Sequence, residues 1–390
     1  MRISANDKFV TLAVFFLLTV TGVCAQSADS LRQMLQAKGA ENIQYFKDGE
    51  GCHHYFLEYR LHRNPLTLLT ELPAWAVKSD SMQLTLLWNG MPWTKIARGT
   101  VRAVGKVELD YRKKIKAASV NEQPVVRSRF PYKIDISIAP VVYAEFGDEP
   151  DVVRTQFAIA PRINYLLPFG LSVDAQWVVP LQNDFERRLG FKSRPGQIGL
   201  NYTKSFLPNH LLLASVGTFQ DRQYGGSVEY IIRKGKNYFG VGADLSASYA
   251  YDERVLYREP LERFSGGLWW MHAFPKHDLW TKITVERFIF GDYGSRVALY
   301  RQFGNNEVGF YIKASNQGVN GGIQWAMPLF PKAFFENSHI QIRPASQFLL
   351  TYEYVRNKNF AETLMRYQQT DRILRTLHPS FIKNHLLSLL

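Results

Sequence analysis

One feature narrows the possible folds more than any other: residues 131–355 alternate large apolar side chains with small or polar ones, strand after strand. A period of two is the mark of β-structure with two unlike faces. In residues 157–165, one face holds Phe157, Ile159, Pro161, Ile163 and Tyr165, and the other Ala158, Ala160, Arg162 and Asn164. Leu171, Val173, Ala175, Trp177 and Val179 alternate with Ser172, Asp174, Gln176 and Val178. Phe239, Val241, Ala243 and Leu245 interleave with Gly240, Gly242, Asp244 and Ser246, and Val308, Phe310 and Ile312 with Gly309, Tyr311 and Lys313. Ile134, Ile136 and Ile138 stand against Lys133, Asp135 and Ser137. The minor face is small and polar, which suits a confined wet lumen, while the larger face suits lipid. An open sheet edge leaves its backbone groups unsatisfied in hydrocarbon, so such a sheet is expected to close.

The expected fold is therefore mainly β: a transmembrane antiparallel barrel behind a small α+β periplasmic domain. The 225 residues of the alternating region, at roughly 9–11 residues per tilted strand plus turns, predict about 12 strands. Turn chemistry punctuates the region at Pro168-Phe169-Gly170, Leu207-Pro208-Asn209, Gly235-Lys236-Asn237, Gly291-Asp292, Gly304-Asn305-Asn306 and Gln317-Gly318. Tyr165, Trp177, Tyr249 and Tyr352 stand near strand ends, where aromatic side chains mark membrane interfaces. Aromatic residues reach 14% of the chain. The mean hydropathy of −0.20 argues against a bundle of membrane helices.

The chain begins like an exported protein. Arg2 and Lys8 precede the apolar run 9–20, and Val23-Cys24-Ala25 offers a cut ahead of Gln26. The run is too short for a membrane-spanning helix, so residues 1–25 are expected to be a cleaved signal peptide. Val23 before Cys24 argues against a lipoprotein signal. Of the two cysteines only Cys52 then remains, which excludes an intramolecular disulfide. The net charge of +13 falls to +12, since Arg2 and Lys8 leave together with Asp7. In an exported chain such a field points to lipopolysaccharide phosphates or an anionic polysaccharide rather than to nucleic acid.

Residues 26–120 read as the small α+β domain. Asp29 or Ser30 caps a helix through Leu31, Met34, Leu35 and Ala37 that stops at Gly39. Strands are expected at 43–46, 55–59, 82–88 and 101–111, with a short helix at 66–72 and a turn at Asn89-Gly90. Residues 121–130 read as a linker, and the barrel as 131–355. Residues 356–390 read as a basic tail, helical over 361–377 and periplasmic.

Basic residues on the predicted inner face, Lys133, Arg162, Lys282 and Lys313, would attract an anionic polymer. Equally, they would pair with Asp135, Asp174, Asp244 and Glu286 and stiffen the lumen, since buried charges need partners. Gly291-Asp292-Tyr293-Gly294 reads either as a shaped site at a barrel rim or as ordinary Gly-Asp turn chemistry. Cys52-His53-His54 suggests a metal site, but neighbouring histidines on a strand point to opposite faces and do not readily share an ion. No Gly-rich phosphate loop, His-Glu-x-x-His helix or Gly-x-Ser-x-Gly elbow occurs. No cofactor, metal or catalytic residue is expected, and Asn201-Tyr202-Thr203 matches a glycosylation acceptor by spacing alone.

Residues 288–294 (Phe-Ile-Phe-Gly-Asp-Tyr-Gly), followed by 299–305 and Val308-Gly309-Phe310-Tyr311, resemble the YjbH-like family of outer-membrane barrel proteins. Residues 224–230 are similar to an earlier glycine-marked strand of that family, and 322–329 to a late strand ending in proline. The amino-terminal module is similar to its small domain ahead of the barrel. The likeness spans roughly residues 30–375 and is dense between 224 and 330. This chain departs in holding a single barrel where longer members carry more sequence, and in its basic charge. The resemblance implies a non-enzymatic role in exopolysaccharide production, export or assembly at the outer membrane, with periplasmic export proteins as partners. The other readings are an outer-membrane enzyme acting on lipid or glycan, and a closed structural barrel.

Overall fold

A computed structural model describes residues 30–48, 50–65, 67–70, 72, 82–97, 100–103, 126–127, 132–146, 153–184, 193–207, 209–219, 222–252, 255–329, 332–353, 361–364, 370–378 and 381. The signal-peptide reading of 1–25 lies outside them, as does most of 104–131.

The amino-terminal part is a six-stranded sheet. Helix α1 (30–37) ends at Gly39, whose φ of +85° is the left-handed stop the sequence predicted. Then come β1 (Ala40–Lys47), β2 (His53–Tyr59), α2 (Thr67–Thr70), β3 (Met82–Trp88), β4 (Met91–Ala97), β5 (Thr100–Ala103) and β6 (Val126–Arg127). The strand order is β5-β4-β3-β2-β1-β6, antiparallel except for β2 and β3, which run parallel across the α2 connection. Leu31, Leu35, Ile43, Tyr55, Leu57, Leu68, Leu84 and Leu86 fuse into one apolar core. Each such side chain removed from water contributes about 1.5–3 kcal/mol. Strand β4 has no counterpart in the sequence reading because Pro92 and Lys95 interrupt its apolar pattern. Strand β6 falls in the stretch read as a linker, and it borders β1.

The second sheet has 16 strands. Its antiparallel ladder begins with β7 (Ile134–Phe146), β8 (Val153–Leu166), β9 (Leu171–Asn183), β10 (Arg194–Lys204), β11 (His210–Phe219), β12 (Gln223–Lys234) and β13 (Asn237–Asp252). A short β14 (Val255–Arg258) pairs only with β13. The ladder continues through β15 (Arg263–Phe274), β16 (Leu279–Arg287), β17 (Tyr293–Phe303), β18 (Asn306–Ser315) and β19 (Gly318–Pro328). Last come β20 (Phe335–Glu336), β21 (Ile340–Pro344) and β22 (Gln347–Glu353). The expected turns fall at the strand junctions. Two-residue connections such as Gly235-Lys236 and Gly304-Asn305 spend little chain, so more than the expected 12 strands fit.

The ladder is not closed; its edges are β20 and β22. Residues 340–353 lie along the opening instead. Their first part runs parallel to β7 and their second part antiparallel to β19. Asp135 on β7 accepts two bonds from Arg343, at 2.8 and 2.6 Å, and one from Gln341 at 2.8 Å, which fastens this seam.

The two faces sort as the alternation requires. Phe157, Ile163, Trp177, Val241, Phe310 and Ile312 face outward and are exposed. Asp174, Asn201, Ser227, Asp244 and Ser246 are buried on the inner face. Inward glycines make room for inward rings. A Cβ at Gly240 would lie 2.1 Å from Cε2 of Trp269, so only glycine fits there.

The carboxyl-terminal tail departs from expectation. Among the described residues of the tail, 361–364 are not helical and α3 (Thr370–Thr376) is, and this helix lies inside the curled sheet rather than beyond it. The sequence reading missed this because the apolar set of the tail is sparse. Its placement rests on ion pairs together with Leu374, which is buried in a cluster with Tyr238, Trp269 and Trp280.

Candidate functional site

The inner face encloses a cavity of about 1250 Å³ lined from β7 round to β22. The amino-terminal domain covers the end of the sheet carrying the short turns at 235–236 and 304–305, here called the near end. Glu58, fully buried in β2, accepts the backbone N–H groups of Asn89 (2.7 Å) and Gly90 (2.9 Å) and the hydroxyl of Tyr132 (2.9 Å), which leads into β7. This shapes the β3–β4 turn so that Asn89 Nδ2 reaches Thr203 Oγ1 of β10 at 3.1 Å. Arg60 donates to Asn164 Oδ1 at 2.6 Å. From there a polar chain crosses four strands, β8 to β11. Asn164, Arg162 and Asn201 all donate to Asp174, at 3.0, 2.7 and 2.9 Å, and Ser215 donates to Asn201 at 2.8 Å.

The described parts of the tail lie in the lumen, 361–364 at the far end and 370–378 toward the near end. At the far rim the backbone N–H of Ala361 donates to Asp292 Oδ2 at 3.1 Å, and Ile289 N–H donates to Glu362 O at 3.0 Å. Asp292 sits in a tight turn that Gly291 opens with φ +90°, closed by Gly291 N–H to Phe288 O at 3.0 Å. The motif is a turn, as its Gly-Asp chemistry predicts, and its Asp292 holds Ala361. Gly294, which follows, packs so close to β18 that a Cβ would lie 2.0 Å from Ala314 O. Leu364 joins Phe219 and Ile289 in a small apolar cluster.

Deeper in, helix α3 is gripped by charge. Lys282 Nζ donates to both oxygens of Asp371, at 2.9 and 2.7 Å, and lies over the Trp269 ring at 4.5 Å. Arg375, fully buried, forms a two-point contact with Glu307, Nε at 3.0 Å and Nη2 at 2.6 Å, and stacks 3.8 Å from the Tyr300 ring. Glu307 also takes Arg63 Nη2 of the amino-terminal domain at 3.4 Å and the Gln302 side chain. Arg63 donates further to Gln347 at 2.9 Å and to Gln302 at 3.2 Å. One buried carboxylate thus joins the sheet, the amino-terminal domain and the tail.

At the near mouth, Thr94 donates to Leu377 O at 2.6 Å. His378 meets Trp280 edge-on at 4.9 Å and Tyr238 at 5.8 Å. Burial, with Arg233 nearby, pushes its pKa down to about 4. Phe381 then enters the apolar core of the amino-terminal domain.

The residues singled out from sequence are placed as follows. Arg162 and Asp174 pair with each other, and Lys282 pairs with the tail. Lys313 lies 3.5 Å from Ala361 O at the far rim. Asp244 is buried, with Ser265 Oγ donating to it at 3.4 Å. Lys133 is not in the lumen; it precedes β7 at the near end and pairs with Glu336. Glu307, Arg63 and Arg375 were missed. Glu307 follows a turn signal, and the two arginines lie outside the alternating region, so no local pattern joins the three.

No family model and no curated protein matches the sequence. Among solved structures, the chain is similar to a loop-deletion form of OmpT, an outer membrane protein of Vibrio cholerae, at 8% identity and a TM-score of 0.26, covering 49% of this chain and 84% of that one. It is likewise similar to a triple mutant of Rhodopseudomonas blastica porin, at 8% identity and a TM-score of 0.25, covering 56% and 95%.

Proposed function

We propose that this protein is a non-enzymatic outer-membrane barrel that assists exopolysaccharide export or assembly and keeps its lumen shut with its own carboxyl-terminal tail. The outward apolar belt suits acyl chains, and the inward polar face suits water. The amino-terminal domain and both ends of the described chain gather at the short-turn end, the periplasmic end of a bacterial barrel. The observation that carries the reading is helix α3 inside the lumen, with Arg375 on Glu307. A lumen held by breakable ion pairs suits a gated path better than a filled core. The glycan is the inference from the resemblance of residues 224–330, and the basic lumen residues suit an anionic chain.

The test has two arms. In planar bilayers the full chain is expected to conduct little, and a chain ending at residue 360 to conduct freely; equal conductance from both rules out the plug. Deleting the gene is expected to reduce surface glycan, and unchanged glycan in a strain that makes the protein rules out the export role. A closed structural barrel predicts no conductance from either chain.

A further inference from the structure

The turn joining β1 to β2 gathers three metal-binding side chains that the lumen does not use. A carboxylate oxygen of Asp48, the sulfur of Cys52 and a ring nitrogen of His54 all lie within 4.8 Å of one another. The turn is built to hold them. Gly51, at φ +83°, brings the chain back on itself. Asp48 Oδ1 accepts the backbone N–H groups of Cys52 (2.8 Å) and Glu50 (3.1 Å), which fixes the carboxylate and leaves Oδ2 beside His54 Nε2 at 2.7 Å. Phe46 lies flat on the His54 ring, with centroids 4.6 Å apart and planes within 5°. His53 points elsewhere, to the Tyr45 hydroxyl at 2.9 Å. The objection that neighbouring histidines cannot share an ion therefore holds for His53 and His54. It does not touch a set in which Asp48 replaces His53.

We propose that this turn is a zinc(II) site, with the Cys52 thiolate, the His54 imidazole and the Asp48 carboxylate as ligands and a fourth position open to water or an incoming donor. Sulfur, nitrogen and oxygen donors together suit zinc, which binds them at roughly 2.0–2.3 Å in tetrahedral array. Calcium and magnesium call for oxygen donors alone. Around a tetrahedral ion two such donors stand roughly 3.3 Å apart, so the Asp48–His54 contact opens by less than an ångström when the ion enters. As the ion binds, His54 carries its ring proton on Nδ1 and the thiol proton leaves, so affinity rises with pH. All three residues are partly accessible, which gives the ion a way in. The backbone bonds to Asp48 and the Phe46 stack hold the ligands in place, as outer-shell contacts do in metal sites.

The mature chain is stripped with a chelator in detergent and loaded with cobalt(II). A near-ultraviolet thiolate-to-cobalt band and intense visible bands of tetrahedral cobalt are expected at one ion per chain, bleached by zinc. Cys52→Ser should abolish the charge-transfer band. Asp48→Asn and His54→Gln should each weaken zinc binding by at least about tenfold, and His53→Gln should leave it unchanged. A wild-type spectrum without the charge-transfer band overturns the site, and that reading needs no variant to fold. A band that survives Cys52→Ser, or zinc affinity indifferent to Asp48→Asn and His54→Gln, overturns it as well.

Discussion

The molecule has two interiors, and they are built on opposite principles. The amino-terminal domain closes over a dry core of Leu31, Leu35, Leu57, Leu84 and Leu86, where packing supplies the cohesion. The large sheet curls around Asp174, Asn201, Asp244, Ser246 and Glu307, where directed bonds and paired charges add to an apolar cluster around Tyr238, Trp269 and Trp280. The tail visits both: Arg375 sits in the polar interior and Phe381 in the apolar one, six residues apart. A dry core is hard to reopen without unfolding. Paired charges can part when one partner is removed or outcompeted, so the proposed gate fits the second.

The sharpest way to break this contrast is at Glu307. Glu307→Gln leaves the guanidinium groups of Arg375 and Arg63 buried without their carboxylate. Losing one partner of a buried pair costs about 3–5 kcal/mol. Release of the tail is expected, read as faster protease cleavage after Arg372 or Arg375 and as raised conductance. Adding Arg375→Met to that variant should recover part of the loss, because a neutral pair leaves less charge unsatisfied. A tail equally protected in Glu307→Gln and wild type would show that the pair does not hold it.

The dry interior should answer differently. Leu57→Ala removes a fully buried side chain from the centre of the amino-terminal sheet and is expected to cost about 2–5 kcal/mol. The loss should appear as faster hydrogen exchange in β1 to β4, while the heat-modifiable gel mobility of the barrel stays as in wild type. A matching shift in both readouts would mean that the two interiors unfold as one.

The same contrast explains what the sequence disclosed. Each strand of the large sheet writes its two faces into its own residues, so Phe157, Val241 and Ile312 announce the outside, and Gly304-Asn305 announces a turn, without knowledge of any other segment. The pairing of Arg162 with Asp174 was within reach because both lie on one predicted face. What joins distant segments leaves no such trace. Arg63, Glu307 and Arg375 are separated by more than 240 and by 68 positions, and nothing near any of them marks a partner. The tail has few apolar residues to declare a buried helix: Ile373, Leu374 and Leu377 pack inside the sheet, and paired charges supply the other anchors. Asp48 carries no local mark of its place at the β1–β2 turn for a related reason. Cys52, His53 and His54 are adjacent in sequence, whereas it is the chain reversal at Gly51 that returns Asp48 to them.

The smallest effect is expected at the boundary between the two interiors, where His378 lies against Trp280 and Tyr238. Burial first, and the charge of Arg233 second, lower its pKa from the ordinary 6.5 to about 4. A histidine held neutral in the docked state binds fewer protons there than when released, so docking is favoured wherever the free ring is already neutral. Above pH 6.5 docking should therefore be flat with pH. Between 6.5 and about 4 it should weaken as pH falls, by at most about 1.4 kcal/mol per pH unit. Protease release of the tail, compared at pH 7 and pH 5, reads this slope. His378→Phe keeps the ring contacts and removes the proton site, so its release should be level across the same range. If the variant shows the wild-type slope, the pH dependence belongs to another group, and the aromatic contact at the near mouth is packing alone.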